Sequence, residues 1–183
     1  ALSSAASDVY KRQPYAIWVS EIMLQQTRVE AVKPYYERFL KALPNVKALA
    51  EAEEEKLLKL WEGLGYYNRV RNMQIAAKTV MEEYAGMLPA DYEALLKLKG
   101  IGSYTAGAIA SIAYEIPVPA VDGNVLRVIS RVTGDRSDIM KQSVRTEMER
   151  ALKKVMPEKK AGAFNQALME LCLLYTSDAA DDK

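Results

Sequence analysis

Two carboxylates and a tyrosine are the side chains of this 183-residue chain whose types and settings suit covalent chemistry. Glu21 is the only charged residue between Pro14 and Arg28, with Ile17 and Trp18 one helical turn before it and Leu24 and Gln25 one turn after. A carboxyl held among apolar groups resists ionisation and can give up a proton near neutral pH. The same glutamate on the outer face of a helix would do neither. Asp122, in VPAVDGNVLRV, stands immediately before a predicted helix. There it is either a plain N-cap or an anion that the helix amides and dipole favour. One carboxyl that keeps its proton beside another that keeps its charge is the pairing that cleaves glycosidic bonds through an oxocarbenium-like transition state. Tyr104 stands two residues after Gly102, on the first turn of another predicted helix. Its plain reading is a ring packed in the core, and its place beside the glycine turn makes it a candidate site residue.

A glycine-flanked turn must position these groups. In LKLKGIGSYTAGAIASIAY, Leu96 to Tyr114, a short apolar-periodic run ends at Lys99, Gly100 and Gly102 flank Ile101, and a small-residue helix starts at Ser103. The pattern predicts a helix-hairpin-helix with Ile101 plugged between the two helices. Glycine at both positions would allow unusual backbone angles and close approach of a bulky ligand. The exposed amides of Gly100, Gly102 and Ser103 at the helix start would bind an anion such as phosphate. A GxG pair also fits a plain helix connection in which glycine caps and packs.

Composition narrows the chemistry. With 25 basic and 24 acidic residues there is no global basic field, so any polyanion must be held by local patches. The chain has no histidine, which removes Ser/His/Asp and Cys/His catalysis, and its one cysteine, Cys172, cannot build a disulfide framework or a metal site alone. No apolar run approaches membrane-spanning length, and the reading is of an intracellular, cytoplasmic protein with no membrane partner.

Periodicity predicts an all-α chain. A largely buried helix starts at Pro14, and Pro34 is read as the first residue of a second helix through Leu43. Pro44 and Asn45 break and cap, the leucines from Leu49 to Leu60 mark one or two short helices, and EAEEEK (51 to 56) is a solvated face. GLGYY (63 to 67) interrupts the pattern before a long helix from Asn68 to Tyr84, which Gly86 ends. Asp91 caps the short helix into the hairpin, IPVPA (116 to 120) is an extended linker, and helices follow over 124–132, 141–155 and 162–171.

In order and spacing, PYAIWVSEIMLQQTRVEAVKPYYERF, WEGLGYYNRVRN, LKGIGSYTAGAIA, VPAVDGNVLRV and AGAFNQALMEL resemble the helix-hairpin-helix DNA glycosylase superfamily of endonuclease III, and within it the MutY-type adenine glycosylases. The resemblance implies a two-lobed helical core: a six-helix barrel lobe over 14–116, with the hairpin at 91–114, and a second lobe over 117–171. It implies a monomer acting on double-stranded DNA that contains adenine mispaired with 8-oxoguanine or guanine, the adenine being flipped out of the stack. Glu21 would protonate the leaving base and Asp122 would stabilise the sugar cation, by charge or through a transient covalent bond. Tyr104, which stands where bifunctional relatives carry a lysine, would organise both and make the enzyme monofunctional. Leu24, Asn124 and Gln166 would line the base pocket. Gln26 and Thr27 would act at the duplex gap, and Leu64 and Tyr66 would wedge into the base stack unless that turn folds into the core. Arg69 and Arg71 are either phosphate contacts or ordinary helix charges. A mismatch thymine glycosylase of the same superfamily and a non-catalytic DNA-binding module are the rival readings.

The chain also departs from that pattern. An intact relative carries a [4Fe–4S] cluster on four cysteines just past Leu171, and those cysteines are missing here, so no cofactor is expected. Residues 1–13 (ALSSAASDVYKRQ) and 172–183 (CLLYTSDAADDK) resemble translated adapter sequence and are expected to be foreign to the natural chain. Weak or absent activity is therefore expected of this piece by itself.

Overall fold

The computed structural model describes the backbone of residues 13–178 and the side chains of residues 13–171. Of the ends expected to be foreign, residues 1–12 and 179–183 lie outside the described residues, and of 172–178, Cys172 included, only the backbone is described. Ten helices and no strand occur among the described residues: α1 (Pro14–Leu24), α2 (Val29–Ala42), α3 (Val46–Ala50), α4 (Glu54–Trp61), α5 (Asn68–Glu83), α6 (Tyr92–Leu96), α7 (Ser103–Tyr114), α8 (Gly123–Thr133), α9 (Gln142–Val155) and α10 (Ala161–Asp178).

The predicted stop signals act as their chemistry dictates. Asn45 caps α3 by accepting the Ala48 N–H at 2.9 Å, and Asp91 caps α6 by accepting that of Ala94 at 2.7 Å. Gly86 ends α5 with φ +80° and donates its N–H back to the Val80 carbonyl. One boundary differs from the sequence reading. The first helix stops at Leu24 rather than running on to Pro34, and Pro34 lies inside α2, which starts at Val29. The break comes from Gln26 in the left-handed region (φ 59°) and from a cation on α5 that takes up the last carbonyls of α1. The proline removes one intrahelical hydrogen bond without breaking α2. Helix α10 runs seven residues past Leu171, where the sequence pattern ends.

Buried apolar side chains form two clusters. One spans Tyr15 to Ala110 and includes Trp18, Phe39, Trp61, Met73, Leu95 and Ile101; the other gathers Val121, Val125, Leu126, Val128, Met148 and Leu152. Helix α7 touches both sides of this division, packing on α1, α6 and α10. Its buried residues are small apart from Ile109: Thr105, Ala106, Gly107, Ala108, Ala110 and Ser111. Small side chains let neighbouring backbones come close. A Cβ on Gly107 would lie 2.7 Å from the Pro119 carbonyl oxygen, and one on Gly162 would lie 2.8 Å from that of Ser111.

Candidate active site

Glu21 lies on α1 in the first cluster's wall and is only 9 % exposed. Burial pushes its carboxyl up to about 7; a hydrogen bond from Tyr104 pulls it back in part, and the negative charge of Asp122 pushes it up again. The three groups singled out by sequence therefore meet, although α1, α7 and the start of α8 supply them from distant parts of the chain. The outward-facing alternative for Glu21 does not hold. Tyr104 reaches Glu21 because Gly102 starts α7 beside α1, so a residue of α7's first turn faces α1's second.

Asp122 is the N-cap of α8. One carboxylate oxygen accepts the N–H groups of Asn124 and Val125 at 2.9 and 2.8 Å, and the other accepts the Asn124 side-chain amide at 3.2 Å. The cap fixes the orientation of the carboxylate, and its charge is near enough to Glu21 to act on that residue's proton. Asn124 is fixed in turn by Arg127, whose Nη2 donates to its Oδ1 at 2.6 Å.

The linker that delivers Asp122 is held by a residue the sequence reading passed over. Asn165, 1 % exposed on α10, donates its side-chain amide to Ser111 Oγ (2.7 Å) and to the Val118 carbonyl (2.9 Å), and its Oδ1 accepts the Ala120 N–H (3.2 Å). The available signal was a short amide four residues after Ala161 on the inner face of α10. Its neighbour Gln166 is exposed on α10, away from that network, and Leu24 is half-buried at the end of α1.

The hairpin is built as expected in part. Ile101 is buried in the first cluster, and Gly100 needs glycine, with φ +79° and Asn72 Cβ 2.9 Å from where its own Cβ would stand. Gly102 makes no use of glycine's freedom: its φ is −93°, and an added Cβ would meet no protein atom within 4 Å. No side chain caps the start of α7, where Ser103 is exposed.

The wedge residues separate. Tyr66 is 68 % exposed at a left-handed φ of 48°, whereas Leu64 is 7 % exposed and packs in the core, the alternative left open for that turn. Gln26 is exposed, and Thr27 donates its hydroxyl to the Gln25 carbonyl at 3.4 Å. Of the two arginines nearby, Arg71 pairs with Glu54 at 3.0 Å on the exposed surface, and Arg69 turns inward onto backbone carbonyls.

Residues 19–157 match the family model described as HhH-GPD superfamily base excision DNA repair protein. This chain belongs to that superfamily. Among curated HhH-GPD relatives, the adenine DNA glycosylase of Mus musculus is 45 % identical over 161 residues, covering 87 % of this chain and 31 % of the relative. That of Buchnera aphidicola from Acyrthosiphon pisum is 36 % identical over 157 residues, covering 86 % and 45 %. The chain thus spans less than half the length of these relatives. Among solved HhH-GPD structures, a thermostable thymine-DNA glycosylase superposes with a TM-score of 0.79 at 27 % identity, covering 88 % of this chain and 74 % of that one. A trapped endonuclease III–DNA covalent intermediate superposes with 0.74 at 26 %, covering 85 % and 72 %.

Proposed function

We propose that this chain is the catalytic core of a monofunctional DNA glycosylase that removes adenine mispaired with 8-oxoguanine or guanine. The observation that carries the reading is the meeting of Glu21, Tyr104 and Asp122. A carboxyl that titrates at about 7 holds a proton and can release it under working conditions. In the proposed reaction Glu21 protonates the extruded adenine, the N-glycosidic bond breaks with its electron pair leaving on the base, and the sugar is left as an oxocarbenium ion. Asp122, oriented by its cap bonds, faces that cation. Water then adds to the anomeric carbon and returns its proton to the Glu21 carboxylate. Tyr104 holds Glu21 by a hydrogen bond and supplies no amine, so no strand cleavage through a Schiff base follows.

Extrusion is assigned to Tyr66 as the wedge, exposed Gln26 and half-buried Thr27 at the gap, and the start of α7 with Gly100, Gly102 and Ser103 as the phosphate seat. Leu24, Asn124 and Gln166 are proposed to frame the base, and Leu64 to support the wedge from beneath. The protein is proposed to act as a monomer in the cytoplasm, on nucleoid DNA; no described helix is long and apolar enough to cross a membrane. A [4Fe–4S] cluster needs four thiolates and this chain has one cysteine, so the residues present do not fit the group and no step depends on it.

Adenine is preferred over thymine because the curated adenine enzymes are 36–45 % identical, against 27 % for the thymine-DNA glycosylase structure. Single-turnover base release from A:8-oxoguanine and T:G duplexes tests the choice, with the chain restored to the length of its relatives because this piece by itself is expected to be weakly active or inactive. Adenine release with T:G untouched is expected. Thymine release at an equal or higher rate overturns the adenine reading, and duplex binding without release of either base favours a plain binding module.

A further inference from the structure

The two segments assigned to DNA distortion are joined by one side chain. Arg69, on the first turn of α5, has carbonyls for partners. Its Nη1 donates to Ile22, Met23 and Gln25 at 3.0, 3.4 and 2.5 Å, and its Nη2 donates to Leu64 and Gly65 at 2.9 and 3.2 Å. The guanidinium carbon lies 5.4 Å from the Trp61 ring centroid and 5.6 Å from that of Tyr66, and Trp61 Nε1 donates to the Gly65 carbonyl at 3.1 Å. Either side of this fork stands a non-glycine residue in the left-handed region, Gln26 and Tyr66, each with an exposed side chain. Such backbone angles cost free energy and persist only where the surroundings over-determine them.

We propose that Arg69 is a positioning residue, a clamp that fuses the turn at 25–27 and the loop at 64–66 into one rigid wedge. Three features support it. The planar fork reaches both sets of carbonyls at once, which a single ammonium cannot do. Its positive charge meets the carbonyl end of α1, the favourable pole of that helix for a cation. A small cavity of about 60 Å³, lined by Ile22, Gln25, Arg69, Asn72, Lys99 and Gly100 among others, separates the clamp from the hairpin, so the two are near neighbours. Gln26 and Tyr66 are thereby held in fixed relation. The wedge then meets the duplex without first having to be ordered. Its link to DNA rests on the glycosylase reading above, whereas the clamp itself does not.

The test compares the 183-residue chain with its Arg69→Lys and Arg69→Gln variants. Without DNA, amide hydrogen exchange is expected to rise at least about tenfold in both 25–28 and 62–68 while α7 keeps its protection. A rise in one segment only, or an equal rise in α7, overturns the clamp. With duplex carrying 2-aminopurine in place of the target adenine, the variants are expected to bind within about threefold of the parent yet give less than half its fluorescence gain. An equal gain overturns the role in extrusion. If the parent itself binds the duplex without any fluorescence gain, the extrusion reading fails while the exchange experiment still decides the clamp.

Discussion

Glu21 holds its proton up to about pH 7 chiefly because it is buried, and this would tie the proposed activity and the stability to one titration. Base release is expected to hold steady below about pH 7 and to decline above it, as the donor is lost. Glu21→Gln should lower single-turnover release by at least about a hundredfold while duplex affinity changes little. Because the folded chain binds this proton more tightly than the unfolded chain, the stability it confers is fully present below the unfolded value and is lost as the pH rises through about 7. The loss is on the order of 3 kcal/mol, and Glu21→Gln should flatten that slope in denaturant titrations at successive pH values. Asp122→Asn separates two roles of one side chain. Asparagine caps helices as well as aspartate does, so unfolding should shift by less than about 0.5 kcal/mol, whereas base release should collapse for want of the anion. If the asparagine variant retains full release, Asp122 is only a cap.

At the scale of elements, α7 is where the site is assembled. Its narrow face admits the linker and α10 to near backbone contact, and Asn165 fastens that linker two residues before Asp122. Gly107→Ala pushes a methyl into the Pro119 carbonyl and is expected to cost about 1–3 kcal/mol. The displacement should also move Asp122, so base release should fall further than stability alone explains. Gly102→Ala should change stability by less than about 1 kcal/mol, since nothing in the protein meets its Cβ, and should weaken duplex binding through the phosphate seat. Asn165→Leu leaves the Ala120 N–H and the Val118 carbonyl without their buried partner; a loss of about 2–4 kcal/mol is expected in thermal or denaturant unfolding.

Across the whole molecule, near-neutral charge sets how DNA would be held under the proposed function. With 25 basic against 24 acidic residues, affinity must come from the hairpin amides and a few local cations, not from a broad basic surface. The dependence of log affinity on log salt should therefore be shallow, with a slope of about −2 to −4. A slope near −8 would mean a basic surface that this reading overlooks.

Much of this was legible in the chain itself. The all-α class, the caps at Asn45, Asp91 and Asp122, the end of α5 at Gly86 and the glycine hairpin are local events, set within one or two turns by propensity, capping and backbone freedom. The candidate acids also stood out, because a lone charge in an apolar run is visible at the level of sequence. Only the fold decided that Glu21 turns inward to Tyr104 and Asp122, that Leu64 is buried while Tyr66 is not, and that Arg69 and Asn165 hold the pieces together. The end of α1 shows why. Nothing near Leu24 forbids another helical turn, and the stop is imposed by a guanidinium more than forty positions away along the chain. Partners of that kind depend on which backbones come within hydrogen-bond reach, and reach is settled by tertiary packing.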